Sequence, residues 1–199
     1  MGLLDILLGR SKPVRPDLDQ LFAVPSAAVT LQAAAGFVPT GLGSVCFASV
    51  EGGAFARLQE EVRGLLDADS GTPDAGPAGV PVDFSEDSYG YTWLLTRHAP
   101  EESAALVNDL HAVNTLLQDG GFGPQLLCSL VGFRDERERP LALVYLYKRG
   151  TFYPFAPRPG ATEKRDNELE LQVRALLAND LRIESDLGRW FPVWGAPGL

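Results

Sequence analysis

The stretch LLCSLVGFRDERERPLALVYLYK, residues 126–148, decides the fold. Two apolar runs, 126–133 and 141–148, flank the charged RDERERP at 134–140. Apolar β-formers on both sides of one charged turn predict an antiparallel hairpin of two central strands.

Working outward toward the end of the chain, TFYPF at 151–155 follows Gly150 and predicts a further extended piece. After a loop holding Pro157, Pro159 and Gly160, apolar residues at Leu169, Val173, Leu176 and Leu177 predict a helix near 162–178, with Thr162 as its N-cap. The closing segment RWFPVWGAPGL, 189–199, has too much Pro and Gly for regular structure. Its Trp190, Phe191 and Trp194 nonetheless demand burial or a partner.

Working outward toward the start, Leu106, Leu110, Val113 and Leu117 form the buried stripe of a helix over 101–119, and Gly120–Gly121 stop it. Before it, Tyr89, Tyr91, Trp93 and Leu95 alternate with Gly90, Thr92, Leu94 and Thr96, a strand period over 88–98. The stretch DADSGTPDAGPAGVPVDFSED, 67–87, is rich in Gly, Pro and acid, and its first half, about 67–81, reads as a mobile loop within one domain. Phe55, Leu58, Val62, Leu65 and Leu66 predict an amphipathic helix over 54–68, and GLGSVCFASV at 41–50 a strand covered on both faces. A short helix is expected from Asp17 to Ala23, ending before Pro25. Residues 1–12 form a small amphipathic segment whose Leu3, Leu4, Leu7 and Leu8 could touch a membrane surface or dock on the domain itself.

Helices and strands in this order predict one α+β domain over 1–199: an antiparallel or mixed sheet with helices packed on one face. The repeated crossovers of a Rossmann-like fold are missing.

At 199 residues, 45% hydrophobic and 22% charged, the chain is an ordinary globular sequence with ample material for a core. A formal charge of -9 argues against nucleic acid as a partner, because phosphate neutralisation needs clustered Lys and Arg. Two cysteines, Cys46 and Cys128, sit in apolar runs and read as buried thiols rather than a disulfide framework. No apolar run reaches the ~20 residues of a membrane span, and the first nine residues lack the basic start of a secretory signal. A cytoplasmic location follows, with peripheral contact to the inner face of the membrane through the leucines as an option.

Catalytic grammar is sparse. There is no Walker loop and no GxGxxG, and GGFG at 120–123 follows a helix and precedes a strand, the reverse of the phosphate-binding order. Cys46, His98, His111 and Cys128 have no paired spacing for a metal. His98 reads as a surface residue. The sharpest catalytic arrangement pairs Cys128 as nucleophile with His111 as base, without a third group to orient them. A strand end carrying Tyr147, Lys148 and Arg149 could recognise an anion or a carboxylate, or could simply be solvated or paired with Glu168 or Glu170. The aromatic segments TFYPF and RWFPVW could anchor a partner or pack into the core.

The strings PSAAVTLQAAAGFVPTGLGSVCF (25–47), DSYGYTWLL (87–95), DLHAVNTLLQDGGFGPQLLCSLVGF (109–133), LALVYLYKRGTFYPFAP (141–157) and RWFPVWGAPGL (189–199) together resemble the PspAB family of actinobacterial and archaeal proteins. These are associated with the phage-shock protein PspA. The resemblance spans nearly the whole chain and rests on long strings rather than a mechanistic motif. It implies a cytoplasmic partner of a membrane-stress system whose central protein coats the inner membrane as helical assemblies, and it carries over no catalytic residue; no cofactor is expected. By analogy the nearest small fold is the type III secretion chaperone-like fold. The expected function is a non-enzymatic binding or adaptor protein that engages a PspA-like partner. Candidate contacts are Tyr147, Lys148, Arg149, Trp190, Phe191 and Trp194. The alternative is a small-molecule-binding domain or an enzyme with its site near Tyr147, Lys148, Arg149 and His111.

Overall fold

The computed structural model describes residues 16–48, 53–69 and 83–199. A 3₁₀ turn, Leu18–Ala23, leads into α1, Val24–Ala35, and then β1, Val38–Ala48, and α2, Gly53–Asp69, follow. Next come β2, Asp83–Glu86, β3, Tyr91–Arg97, α3, Ser103–Leu117, β4, Leu126–Arg134, β5, Pro140–Leu146, β6, Thr151–Phe155, and α4, Asn167–Leu176. The strands form a six-stranded sheet in the order β2-β3-β1-β4-β5-β6. Every neighbouring pair is antiparallel. The fold is therefore α+β, as the hairpin over 126–148 predicts.

The hairpin turn is held by one carboxylate. Asp135 accepts from the backbone N–H of Arg137 at 3.0 Å and of Arg139 at 2.8 Å, and from Arg139 Nε at 2.8 Å. Burial alone would raise its pKa, but these bonds and the Arg139 charge outweigh it and leave the carboxyl below its ordinary value.

Alternation divides the strands between two layers. On one face Val45, Phe47, Leu94, Val131, Phe133, Leu143 and Tyr145 pack with Leu21, Leu31, Phe37, Leu106, Leu110 and Val113 of the helical layer. Each of these large side chains, fully removed from water, contributes roughly 1.5–3 kcal/mol. Asn114, caught in this layer, donates through Nδ2 to Ser129 Oγ at 2.8 Å and to the Leu110 carbonyl at 2.7 Å, while its Oδ1 has no hydrogen-bond partner. The Tyr145 hydroxyl donates to the Asp17 carbonyl at 2.9 Å.

Among the described residues no α-helix packs on the opposite face. Cys46, Trp93, Cys128, Leu130, Ala142, Val144, Tyr153 and Phe155 meet Trp190, Val193 and Ala196 of the closing segment. Residues 190–199 thus act as a strap across the bare face of the sheet.

Three sequence expectations are corrected in detail. The short helix expected over Asp17–Ala23 is present as the 3₁₀ turn Leu18–Ala23, but the chain does not leave helix before Pro25: α1 follows directly, with Pro25 in its first turn, where its missing N–H costs no hydrogen bond. That helix runs to Gly36, whose left-handed φ of 71° closes it. The helix expected from Thr162 starts at Asn167, because Asp166 is the cap and accepts from the Leu169 N–H at 3.2 Å. Asp83–Glu86, within the Gly/Pro/acid stretch, pairs with β3 as an edge strand. The segment 1–12, with Leu3, Leu4, Leu7 and Leu8, lies outside the described residues, as do 70–81 of the acidic loop expected over about 67–81, whose first residues, 67–69, instead end α2.

Candidate functional site

Register places one residue from each of the six strands in a single transverse row: Ser85, Trp93, Cys46, Cys128, Leu146 and Thr151. A parallel row on the same face runs Asp83, Leu95, Ser44, Leu130, Val144 and Tyr153. The strap packs on the second row and beyond it. Over the middle of the first row lies a cavity of about 550 Å³. Cys46, Cys128, Trp93 and Leu146 are its floor, Tyr89 and Tyr91 one wall, and Phe191, Pro192, Val193 and Trp194 its roof.

The roof is pinned by polar contacts. The Tyr153 hydroxyl donates to the Phe191 carbonyl at 2.8 Å, and Trp190 Nε1 to the Glu184 carbonyl at 3.1 Å. Arg165 donates through one terminal nitrogen to the Trp190 carbonyl, and through Nε to buried Glu170 at 2.9 Å. Its guanidinium lies 5.1 Å from the centre of the Phe155 ring. Trp190 stacks on Tyr153 at 6.0 Å, and Trp194 meets Phe155 edge-on at 4.8 Å. At the far end the strap passes over Gly132, where a Cβ would collide with the Gly198 carbonyl. Only glycine admits that approach.

Charge is distributed unevenly around the opening. Lys148, Arg149 and Arg189 lie at the end made by β5 and the strap, and Asp87 at the end made by the turn between β2 and β3. Asp87 is occupied by its own turn, accepting from the Tyr89 N–H at 2.9 Å, the Tyr91 N–H at 3.0 Å and Trp93 Nε1 at 2.8 Å. Burial would raise its pKa, and these donors reverse that and hold it below its ordinary value. On the floor, contact with the Cys128 sulfur, then burial, push the Cys46 thiol far above its ordinary value. Such a thiol is a protonated wall rather than a nucleophile.

The six expected contact residues divide. Lys148, Arg149, Phe191 and Trp194 line the cavity, and Trp190 is buried beside it against Tyr153. Tyr147 points to the helical face, where its hydroxyl donates to Gln118 Oε1 at 2.7 Å. Strand alternation separates it from Lys148. The tight turn after β5, with Arg149 N–H on the Leu146 carbonyl at 3.1 Å, brings Arg149 back to the cavity side. There it pairs through Nε with Glu184 at 3.1 Å, not with Glu168 or Glu170. His111 lies in the helical layer, 3.4 Å from Asp19 and with its ring tilted against Phe22 at 4.7 Å, so the sheet separates it from Cys128 and the expected nucleophile–base pair does not form. His98 is not a simple surface residue: it is mostly buried and bonds Asp109 at 2.7 Å.

Trp93, Tyr89, Tyr91 and Asp87 were not among the expected site residues. The alternation over 88–98 carried part of the signal, since Tyr91 and Trp93 share a parity and so a face, whereas Tyr89 reaches the opening from the turn before β3. What the spacing lacked was the register that sets Trp93 beside Cys46.

The geometry defines a class: an antiparallel α+β protein with one helical face and one face strapped by its own closing segment over an aromatic cavity. The family model of PspA associated protein B, PspAB, matches residues 1–198, and the chain belongs to that family. No curated protein and no solved structure matches the chain. Among the described residues no helix is long and apolar enough to cross a membrane.

Proposed function

We propose that this chain is a non-enzymatic adaptor that associates with PspA through the mouth of the cavity. One observation carries the reading. Tyr89, Tyr91 and Phe191 are 63%, 41% and 58% exposed, and all three stand around one opening. Large aromatics at the rim of a preformed concavity are the usual anchors of a protein interface, and exposing them to water without a partner is unfavourable. The family's association with PspA supplies the partner class. A binding rather than a catalytic role is also supported by the position of His111 and Cys128 on opposite sides of the sheet.

The test is titration calorimetry of the purified chain against PspA, with the double substitution Tyr91→Ser and Phe191→Ser. Val29→Ser, at an exposed apolar position on α1, serves as the control. The expected result is at least about tenfold weaker binding for the double variant, since two interface aromatics commonly contribute more than 1.4 kcal/mol. Absence of binding by the unaltered chain, or equal loss with Val29→Ser, rejects the proposal.

A further inference from the structure

We propose that the cavity is a binding site for a small amphipathic anion: an apolar body lying over the Cys46–Cys128 floor and a single carboxylate, sulfonate or phosphate head at Lys148 and Arg189. This goes beyond the adaptor role, and its test contains no protein partner.

The volume of about 550 Å³ is that of a small-molecule site. Its walls select an apolar body. Trp93, Leu127, Leu146, Val193 and Trp194 offer carbon surface. The floor thiols offer little polarity, since the Cys46 and Cys128 side chains are buried and unoxidised. A chain or flat ring system laid along this row exchanges water for apolar contact at about 25 cal/mol per Å².

The rim selects the sign of the head. In a protein of formal charge -9, the cavity lining carries three cations and one carboxylate. That carboxylate, Asp87, lies at the opposite end from the cations and is taken up by three internal donors. Arg149 and Arg189 are held through Nε by Glu184 at 3.1 Å and Asp186 at 3.1 Å, neither of which lines the cavity. Nε bonding fixes each guanidinium and leaves terminal N–H donors for a further acceptor. Lys148 makes no ion pair within the described residues. An ammonium with no acid partner among the described residues, beside an apolar cleft in an acidic protein, is matched by an anionic head on an apolar body. A cationic amphiphile would meet three like charges, and a neutral one would leave the rim unused.

Dodecanoate, kept below its micelle threshold, is the probe, with decanol and dodecyltrimethylammonium as neutral and cationic counterparts. Calorimetry and tryptophan emission read binding to the full chain, with Trp93→Phe used to assign the emission change to the cavity. The expected result is saturable binding of one dodecanoate per chain, at least about tenfold tighter than either counterpart and weakened by added salt. Lys148→Glu, a change at an exposed position, should weaken dodecanoate by at least about tenfold while far-ultraviolet circular dichroism is unchanged, and Lys148→Arg should restore it. Dodecyl phosphate and inorganic phosphate, run in parallel, separate a lipid-like ligand from a bare anion. Equal affinity for the three amphiphiles overturns the choice of charge. Phosphate alone binding as well as dodecyl phosphate overturns the apolar body. No saturable binding, or no effect of Lys148→Glu, overturns the site, and none of these outcomes bears on PspA association.

Discussion

The hydroxyl of Tyr153, on the sheet, donates to the carbonyl of Phe191, on the strap, at 2.8 Å. Tyr153 is almost wholly buried, and burial pushes its phenol well above its ordinary pKa, so it remains a donor throughout the working range of pH. The bond fixes the height of the cavity roof, because Phe191, Pro192 and Val193 follow one another along it.

Removing that hydroxyl should loosen the roof without emptying the core. Tyr153→Phe keeps the stack on Trp190 and deletes one hydrogen bond, at a cost of about 1 kcal/mol. Hydrogen exchange should accelerate at 190–194 and stay unchanged in β4 and β5. Uniform acceleration over the whole sheet would show that the bond supports the fold rather than the strap.

Gly132→Ala tests the other end of the strap. The new methyl would occupy the space of the Gly198 carbonyl and approach Thr40 Oγ1, so residues 196–199 must move. Overpacking of this kind costs about 1–3 kcal/mol. Faster proteolysis confined to the last residues is the expected readout; a variant as resistant as the parent would mean that the strap does not depend on this approach.

Glu184 makes stability depend on acid. Although burial opposes its charge, the Asp186 N–H, Thr151 and Arg149 donate to it, and the net effect is a pKa below the ordinary 4.5. A carboxyl lowered in the folded state stabilises the fold above the unfolded value and loses that contribution as pH falls through the folded value. Melting temperature should therefore decline as pH drops below 4.5, and Glu184→Gln should be less stable near neutrality but decline less steeply in acid. Parallel melting curves for the two proteins would remove Glu184 from the account.

Cys46 should be a slow thiol. Contact with Cys128 and burial hold its pKa far above that of a free cysteine, so its reactive thiolate is scarce at neutral pH. Iodoacetamide labelling followed by peptide mass analysis should give a correspondingly slow rate at Cys46 in the native protein and an ordinary rate in denaturant. Equal rates in both states would place the thiol outside the environment described.

Much of the fold was legible along the chain. The hairpin at 126–148 is strong because both strands are apolar on both faces, which only a central, doubly covered pair requires. α2 and α3 fell close to their predicted spans because their apolar residues recur at helical spacing. The misplaced elements are those fixed by single residues with two uses. Pro25 can stop a helix or open one, and Thr162 and Asp166 can each serve as a cap. The site was legible only in pieces. Lys148, Arg149, Phe191 and Trp194 were marked by unusual local chemistry, whereas Tyr147 was grouped with them by adjacency that strand alternation breaks.

By itself the sequence determined the α+β class, the antiparallel hairpin and the acidic balance, because each depends on composition or on spacing within one element, and the likeness to PspAB, which rests on long strings of residues. Only the tertiary structure decided that Trp93, Cys46, Cys128 and Leu146 share one row, and that residues 190–194 roof it. Register and strap docking are contacts between residues tens of positions apart. They are set by which faces can be buried together, and no local pattern encodes that choice.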